Sequence, residues 1–105
     1  MTPQISVEEL KKKLDAKEKF LLLDVREQDE YDTAKIPGSK LLPLGQLPNR
    51  LGELDKKTPI VVHCHSGGRS ARATAFLNQQ GFNAVNLAGG ITAWSERIDP
   101  SVPTY

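Results

Sequence analysis

The apolar positions of this chain fall into two patterns. Phe20-Leu21-Leu22-Leu23-Asp24-Val25 and Ile60-Val61-Val62-His63-Cys64 are continuous runs, too short for an ordinary helix and suited to strands buried on both faces. Phe82 to Leu87 reads as a third such strand, and Leu41-Leu42 as a brief one stopped by Pro43. Between the runs, apolar residues recur at helical spacing. Val7, Leu10 and Leu14 share one face, with Lys11, Lys12 and Lys13 solvated opposite, and Ser6 with Glu9 forms a capping box ahead of them. Glu27 to Thr33 reads as a short polar helix, closed by a turn at Pro37-Gly38. Leu47, Leu51 and Leu54 predict a helix with Pro48 in its first turn. Arg69 to Gln80 predicts another, with Ala73, Phe76 and Leu77 inward and Gly81 as its stop. Ile91, Trp94 and Ile98 mark the inner face of a last helix, and residues 99–105 read as an extended tail. Strands alternating with helices predict an α/β fold, an open and mostly parallel sheet covered on both faces.

Length changes this picture little: 105 residues suit one domain over 1–105 with one modest core. Charge excludes more. Fourteen Lys and Arg stand against thirteen Asp and Glu, a formal net charge of +1, so no global field points to nucleic acid or a membrane surface. The apolar runs fall far short of the roughly 20 residues that span a bilayer. The first residues show neither a basic nor an apolar leader pattern. One cysteine allows no internal disulfide and fits a reducing compartment, so the expected location is cytoplasmic.

The candidate chemistry sits where the strand Ile60–His63 ends. Cys64 is followed by His65-Ser66-Gly67-Gly68-Arg69-Ser70 and then by helical pattern. A buried strand thus delivers a thiol to the sheet rim, a tight glycine-containing loop curls over it, and the helix begins with free backbone N–H groups aimed at the sulfur. Oriented N–H groups stabilise a thiolate or an adjacent anion, and Arg69 adds a fixed positive charge. A cysteine closing a buried strand is otherwise an inert small hydrophobe; the loop chemistry argues for the reactive reading. His63 and His65 flank the thiol, but three consecutive residues cannot wrap a tetrahedral ion and the chain holds no further His or Cys, so neither metal nor other cofactor is expected. His65 reads as a rim residue. Asp24 and Arg26 sit at the end of their own strand, either as a plain ion pair or as part of the ligand crevice that parallel sheets form at their carboxyl ends.

These motifs resemble those of the rhodanese family of sulfurtransferases, in order and over nearly the whole chain. Asp24-Val25-Arg26-Glu27, Tyr31 and Ile36-Pro37-Gly38 resemble its first block, Cys64 to Ser70 its active-site loop, and Gly81-Phe82, Val85, Leu87, Gly89-Gly90 and Ala93-Trp94 its closing signature. The resemblance implies a central, mostly parallel sheet of about five strands. It also implies that Cys64 takes a sulfane sulfur from a donor, holds it as a persulfide and passes it to a thiophilic acceptor. In that reading the backbone N–H groups of His65, Ser66, Gly67, Gly68, Arg69 and Ser70 cradle the persulfide. Arg69 helps hold a small anionic donor such as thiosulfate, while Arg26 and Asp24 line or support the crevice. Ala34-Lys35 departs from the pattern, since the family commonly carries Gly-His there. Four residues separate Cys64 from Arg69, one fewer than in the tyrosine phosphatases and the related dual-specificity enzymes, which sizes the cradle for sulfur over phosphate. The tail from Trp94 to Tyr105 is similar to the ends of rhodanese domains fused to adenylyltransferases, implying a sulfur-carrier protein or an adenylyltransferase as partner.

Overall fold

The structure is a computed structural model and describes residues 2–105. Its elements in chain order are β1 (Gln4–Ile5), α1 (Val7–Asp15), β2 (Leu21–Asp24), α2 (Gln28–Thr33), β3 (Lys40–Leu41), β4 (Ile60–His63), α3 (Gly68–Gln79), β5 (Ala84–Leu87) and α4 (Gly90–Arg97). The five strands form one sheet in the order β1-β5-β4-β2-β3, every pair parallel. β4 is central: it pairs with β2 from Leu21↔Ile60 to Asp24↔His63, and with β5 from Ile60↔Ala84 to Val62↔Asn86. Parallel pairing sends the carboxyl end of every strand to the same edge, which is where Asp24 and Cys64 emerge together.

Side-chain alternation along the strands divides the core in two. Ile60, Val62 and Cys64 join Leu23, Val25 and Ala84 under Ala73 and Leu77 of α3. Val61 and Leu22 face the other way, against Val7 and Leu10 of α1 and Ile91 and Trp94 of α4. The expected capping box is present: Ser6 Oγ accepts from the Glu9 N–H at 3.1 Å while Glu9 Oε1 accepts from the Ser6 N–H at 3.1 Å. α3 stops as expected at Gly81, whose φ of +91° suits only glycine well. The Gly81 and Phe82 N–H groups bond back to the Asn78 and Leu77 carbonyls.

Three expectations change. Leu47, Leu51 and Leu54 do not build an α-helix; Leu44–Asn49 and Leu51–Glu53 are short 3₁₀ turns. Pro48 lies inside the first and has no N–H to return four residues back, so the segment settles for tighter bonds such as Arg50 N–H to Leu47 O at 3.1 Å. Gln4-Ile5 is a fifth strand, held at the sheet edge by β5; two residues are too few to show alternation. The tail is not simply extended. It turns at Asp99, whose carbonyl accepts from the Val102 N–H, and buries Val102 against the α4 face.

Asp24, Arg26 and His63 are fully buried polar residues on that α4 side of the sheet. Arg26 uses its whole guanidinium inside the protein. Nε and one terminal nitrogen grip the Asp24 carboxylate, at 2.9 and 2.6 Å, and the remaining N–H groups reach Ala34 O, Glu30 O and the Tyr105 hydroxyl. His63 has no such satisfaction: among the described residues neither ring nitrogen meets a hydrogen-bond partner, and the Asp24 carboxylate lies 3.9 Å from Nε2. Burial pushes His63 down to about 4, against the pull of Asp24 and with the help of the Arg26 charge. A histidine held neutral in the fold binds its proton more readily when unfolded. Stability is therefore full above the ordinary value near 6.5 and is lost as pH falls toward 4. Urea unfolding should show a decline on the order of 2–3 kcal/mol between those limits. The decline should be absent in His63→Leu; an identical slope in the variant would assign it to other groups.

Candidate functional site

The Cys64 loop is gripped from two sides. Gly67, with φ of +121°, turns the chain so that α3 can start at Gly68, and its N–H points to Cys64 Sγ at 3.1 Å. The Ser70 hydroxyl, one turn into α3, stands 3.3 Å from the same sulfur. On the opposite side, the first turn of α4 takes the loop's carbonyls. Ile91 N–H donates to Cys64 O at 3.0 Å, and Thr92 donates to His65 O through both its N–H, at 3.1 Å, and its hydroxyl, at 2.9 Å. The approach is close enough that a Cβ on Gly90 would fall 2.5 Å from Cys64 O and 2.6 Å from His65 O. With the carbonyls drawn outward to α4, the N–H groups of the loop remain for the sulfur side.

Burial pushes the Cys64 thiol up, since only 1% of the residue is exposed. The Ser70 hydroxyl and the N–H groups of Ser70, Gly67 and Arg69 outweigh that effect and leave the thiol below its ordinary value. Ser70 is itself tied to Asn86 of β5, 2.5 Å away, whose amide nitrogen lies 3.4 Å from Gly67 O. Asn86 Oδ1 accepts from the Ser70 hydroxyl, so that group's one proton serves either Asn86 or the sulfur, and Asn86 holds Ser70 Oγ beside the thiol. Asn86 escaped notice in the sequence; its signal is an amide in the middle of an otherwise apolar buried strand.

The remaining expected residues separate into rim and support. His65 is partly exposed, and its ring stacks on Tyr105 with centroids 4.4 Å apart. Ser66 and Gly68 are exposed on the outer turn of the loop. Arg69 is not a free cation: its two terminal nitrogens meet both oxygens of Glu30, at 2.6 and 2.9 Å. The bond to Arg69 is the main reason that the Glu30 carboxyl drops to about 2. Tyr105 joins this pair to the buried one, its hydroxyl accepting from Arg26 at 2.6 Å and donating to Glu30 at 2.9 Å. Asp24 and Arg26, with no exposed surface and no free guanidinium N–H, do not line the crevice; they brace the chain beneath it. Glu30 and Tyr105 were missing from the expected site because only the tertiary fold carries α2 and the tail to Arg69. Lys35 lies over the Tyr31 ring at 4.8 Å.

Ser70→Ala should raise the Cys64 thiol by about one pH unit, the loss of one hydrogen bond to a charged sulfur. The pH dependence of iodoacetamide alkylation measures it, and an unmoved profile would leave the backbone N–H groups as the sole stabilisers. Gly90→Ala must push the loop off α4 or force a residue with φ of +57° into a strained conformation. A loss of about 2 kcal/mol or more in unfolding free energy is expected, with slower alkylation of Cys64.

Comparison with known proteins agrees with this geometry. The model of the rhodanese-like domain matches residues 6–97. A sulfurtransferase of Allochromatium vinosum is 40% identical over 103 residues, covering 97% of this chain and 96% of that protein. YrkF of Bacillus subtilis, named as a candidate sulfur carrier protein, is 41% identical over 98 residues, but the chain spans only 53% of its length. The adenylyltransferase and sulfurtransferase MOCS3 of Arabidopsis thaliana is 34% identical over a segment amounting to 26% of its length. Among solved structures, a rhodanese-like domain protein from Staphylococcus aureus superposes with a TM-score of 0.87 at 32% identity, covering 99% of both chains. The parallel five-stranded sheet, the cysteine loop at its carboxyl edge and these matches agree, and the chain belongs to the rhodanese-like domain family.

Proposed function

We propose that the chain, acting as one domain, is a sulfurtransferase that accepts a sulfane sulfur on Cys64 from a small anionic donor such as thiosulfate and hands it to a thiophilic acceptor. The observation that carries the reading is the lowered thiol at the N-terminus of α3, met by the Gly67 N–H and the Ser70 hydroxyl. In the first half-reaction the Cys64 thiolate attacks the outer sulfur of the donor. A bond forms between Sγ and that sulfur, the donor's own S–S bond breaks, and the electron pair leaves with sulfite. The terminal persulfide sulfur then carries the negative charge, and loop N–H groups already in place stabilise it without reorganising. In the second half-reaction the acceptor's nucleophile takes the terminal sulfur and the Cys64 thiolate is the leaving group. No step needs a metal or cofactor. A lone thiol that must stay reduced suits the cytoplasm.

A second reading is favoured by the relatives' names: the chain acts as a persulfide carrier for a protein partner, either a sulfur-carrier protein or an adenylyltransferase. One experiment addresses both. After thiosulfate treatment and desalting, the intact mass should rise by one sulfur atom, and Cys64→Ala should show no gain. Cyanide should then remove the sulfur as thiocyanate. Equal gains in wild type and variant would end the sulfur-transfer reading. A stable gain with negligible thiocyanate turnover would favour the carrier.

A further inference from the structure

We infer that Glu30 tunes the choice of sulfur donor: by pairing with Arg69 it weakens the docking of small dianions, thiosulfate included, relative to persulfides of low charge. The inference rests on the sulfur-transfer reading above and names its donor class. An arginine at the mouth of a thiolate loop would ordinarily be the docking point for an anion. Here each terminal nitrogen gives one N–H to a single carboxylate, so the bidentate face that an incoming oxyanion would use is occupied, while Nε–H and one N–H on each terminal nitrogen remain.

Glu30 is fastened from three directions. Besides Arg69, it receives the Tyr105 hydroxyl on Oε2 at 2.9 Å and the Glu27 N–H on Oε1 at 3.0 Å, the latter at the first turn of α2. Its side chain is 17% exposed, so the pair is partly shielded from solvent. A donor oxyanion must therefore displace a carboxylate that the fold holds in place. The second arginine gives no help, because Arg26 is buried and fully used by Asp24, two carbonyls and Tyr105. The two guanidinium groups and two carboxylates around the loop cancel. A dianion approaching the Cys64 thiolate then meets like charge, with the charge of the Arg69 guanidinium already balanced by Glu30.

A persulfide donor avoids this difficulty. It carries its sulfane sulfur on a thiol and bears at most one negative charge at the reacting end. The exchange still balances: a bond forms from Cys64 Sγ to the sulfane sulfur, the donor's S–S bond breaks, and the pair leaves on the donor's thiolate sulfur. Glu30 takes no part in that bond change. It acts on which donor reaches the thiolate.

The test compares thiosulfate with cysteine persulfide as donors to the intact chain. Sulfur loaded on Cys64 is followed by mass against time and concentration. Glu30→Gln keeps the acceptor for the Glu27 N–H and removes the charge. It should lower the thiosulfate concentration giving half-maximal loading by about two- to fivefold, the scale of a partly exposed ion pair. The ratio of thiosulfate to cysteine persulfide rate constants should rise with it. Tyr105→Phe, which keeps the stack on His65 and loosens Glu30, should move the ratio in the same direction by less, and keeps the test alive should Glu30→Gln fail to fold. An unchanged donor ratio in a folded Glu30→Gln overturns the inference. Absence of sulfur on wild-type Cys64 with either donor would instead overturn the sulfur-transfer reading itself.

Discussion

The grip of α4 on the Cys64 loop is the constraint on which the site depends. A loop that directs its N–H groups toward a sulfur must find other acceptors' partners for its carbonyls, since a buried unpaired carbonyl costs as much as the hydrogen bond it lacks. Ile91 and Thr92 supply those donors from the free first turn of a helix. Gly90 lets the two backbones come within the distance of a missing methyl group. The same contact that orders the loop therefore ties it to the last helix, and through Trp94 and Ile91 to the core beneath.

Charge around the site is arranged as a continuous chain from the interior to the rim: Asp24, Arg26, Tyr105, Glu30, Arg69. Its inner end is structural. Removing one partner of a buried, fully hydrogen-bonded pair typically costs about 3–5 kcal/mol, because the other charge is left uncompensated. Its outer end is partly exposed and worth much less as stability. That difference allows one network to serve two purposes. Buried pairing fixes where Tyr105 and the loop after α2 sit, while the outer Arg69–Glu30 contact balances the charge of the arginine beside the thiol loop.

Much of this was legible along the chain because it depends on local chemistry. The unbroken runs around Leu22 and Val62, the capping box at Ser6 and the stop at Gly81 all act within a few residues, and each appeared where expected. The 3₁₀ turns did not, because leucine spacing says nothing about whether Pro48 leaves the backbone enough bonds for an α-helix. Asp24 and Arg26 had two readings in the sequence. Only packing shows that Arg26 spends its donors on the Ala34 and Glu30 carbonyls and has none left for a ligand.

Periodicity, turn residues and spacing are properties of neighbours, so the alternation of strands and helices, the placement of Cys64 at a strand end and the length of the loop before Arg69 can be read along the chain. What surrounds the thiol depends on contacts between distant segments. Asn86 lies 16 residues from Ser70, Glu30 lies 39 from Arg69, and Tyr105 lies 79 from Arg26. Such pairs meet because parallel strands bring their carboxyl ends to one edge and the last helix returns the tail across it. The loop's anion-binding shape is local, and its charge balance is set by residues that the fold brings from elsewhere.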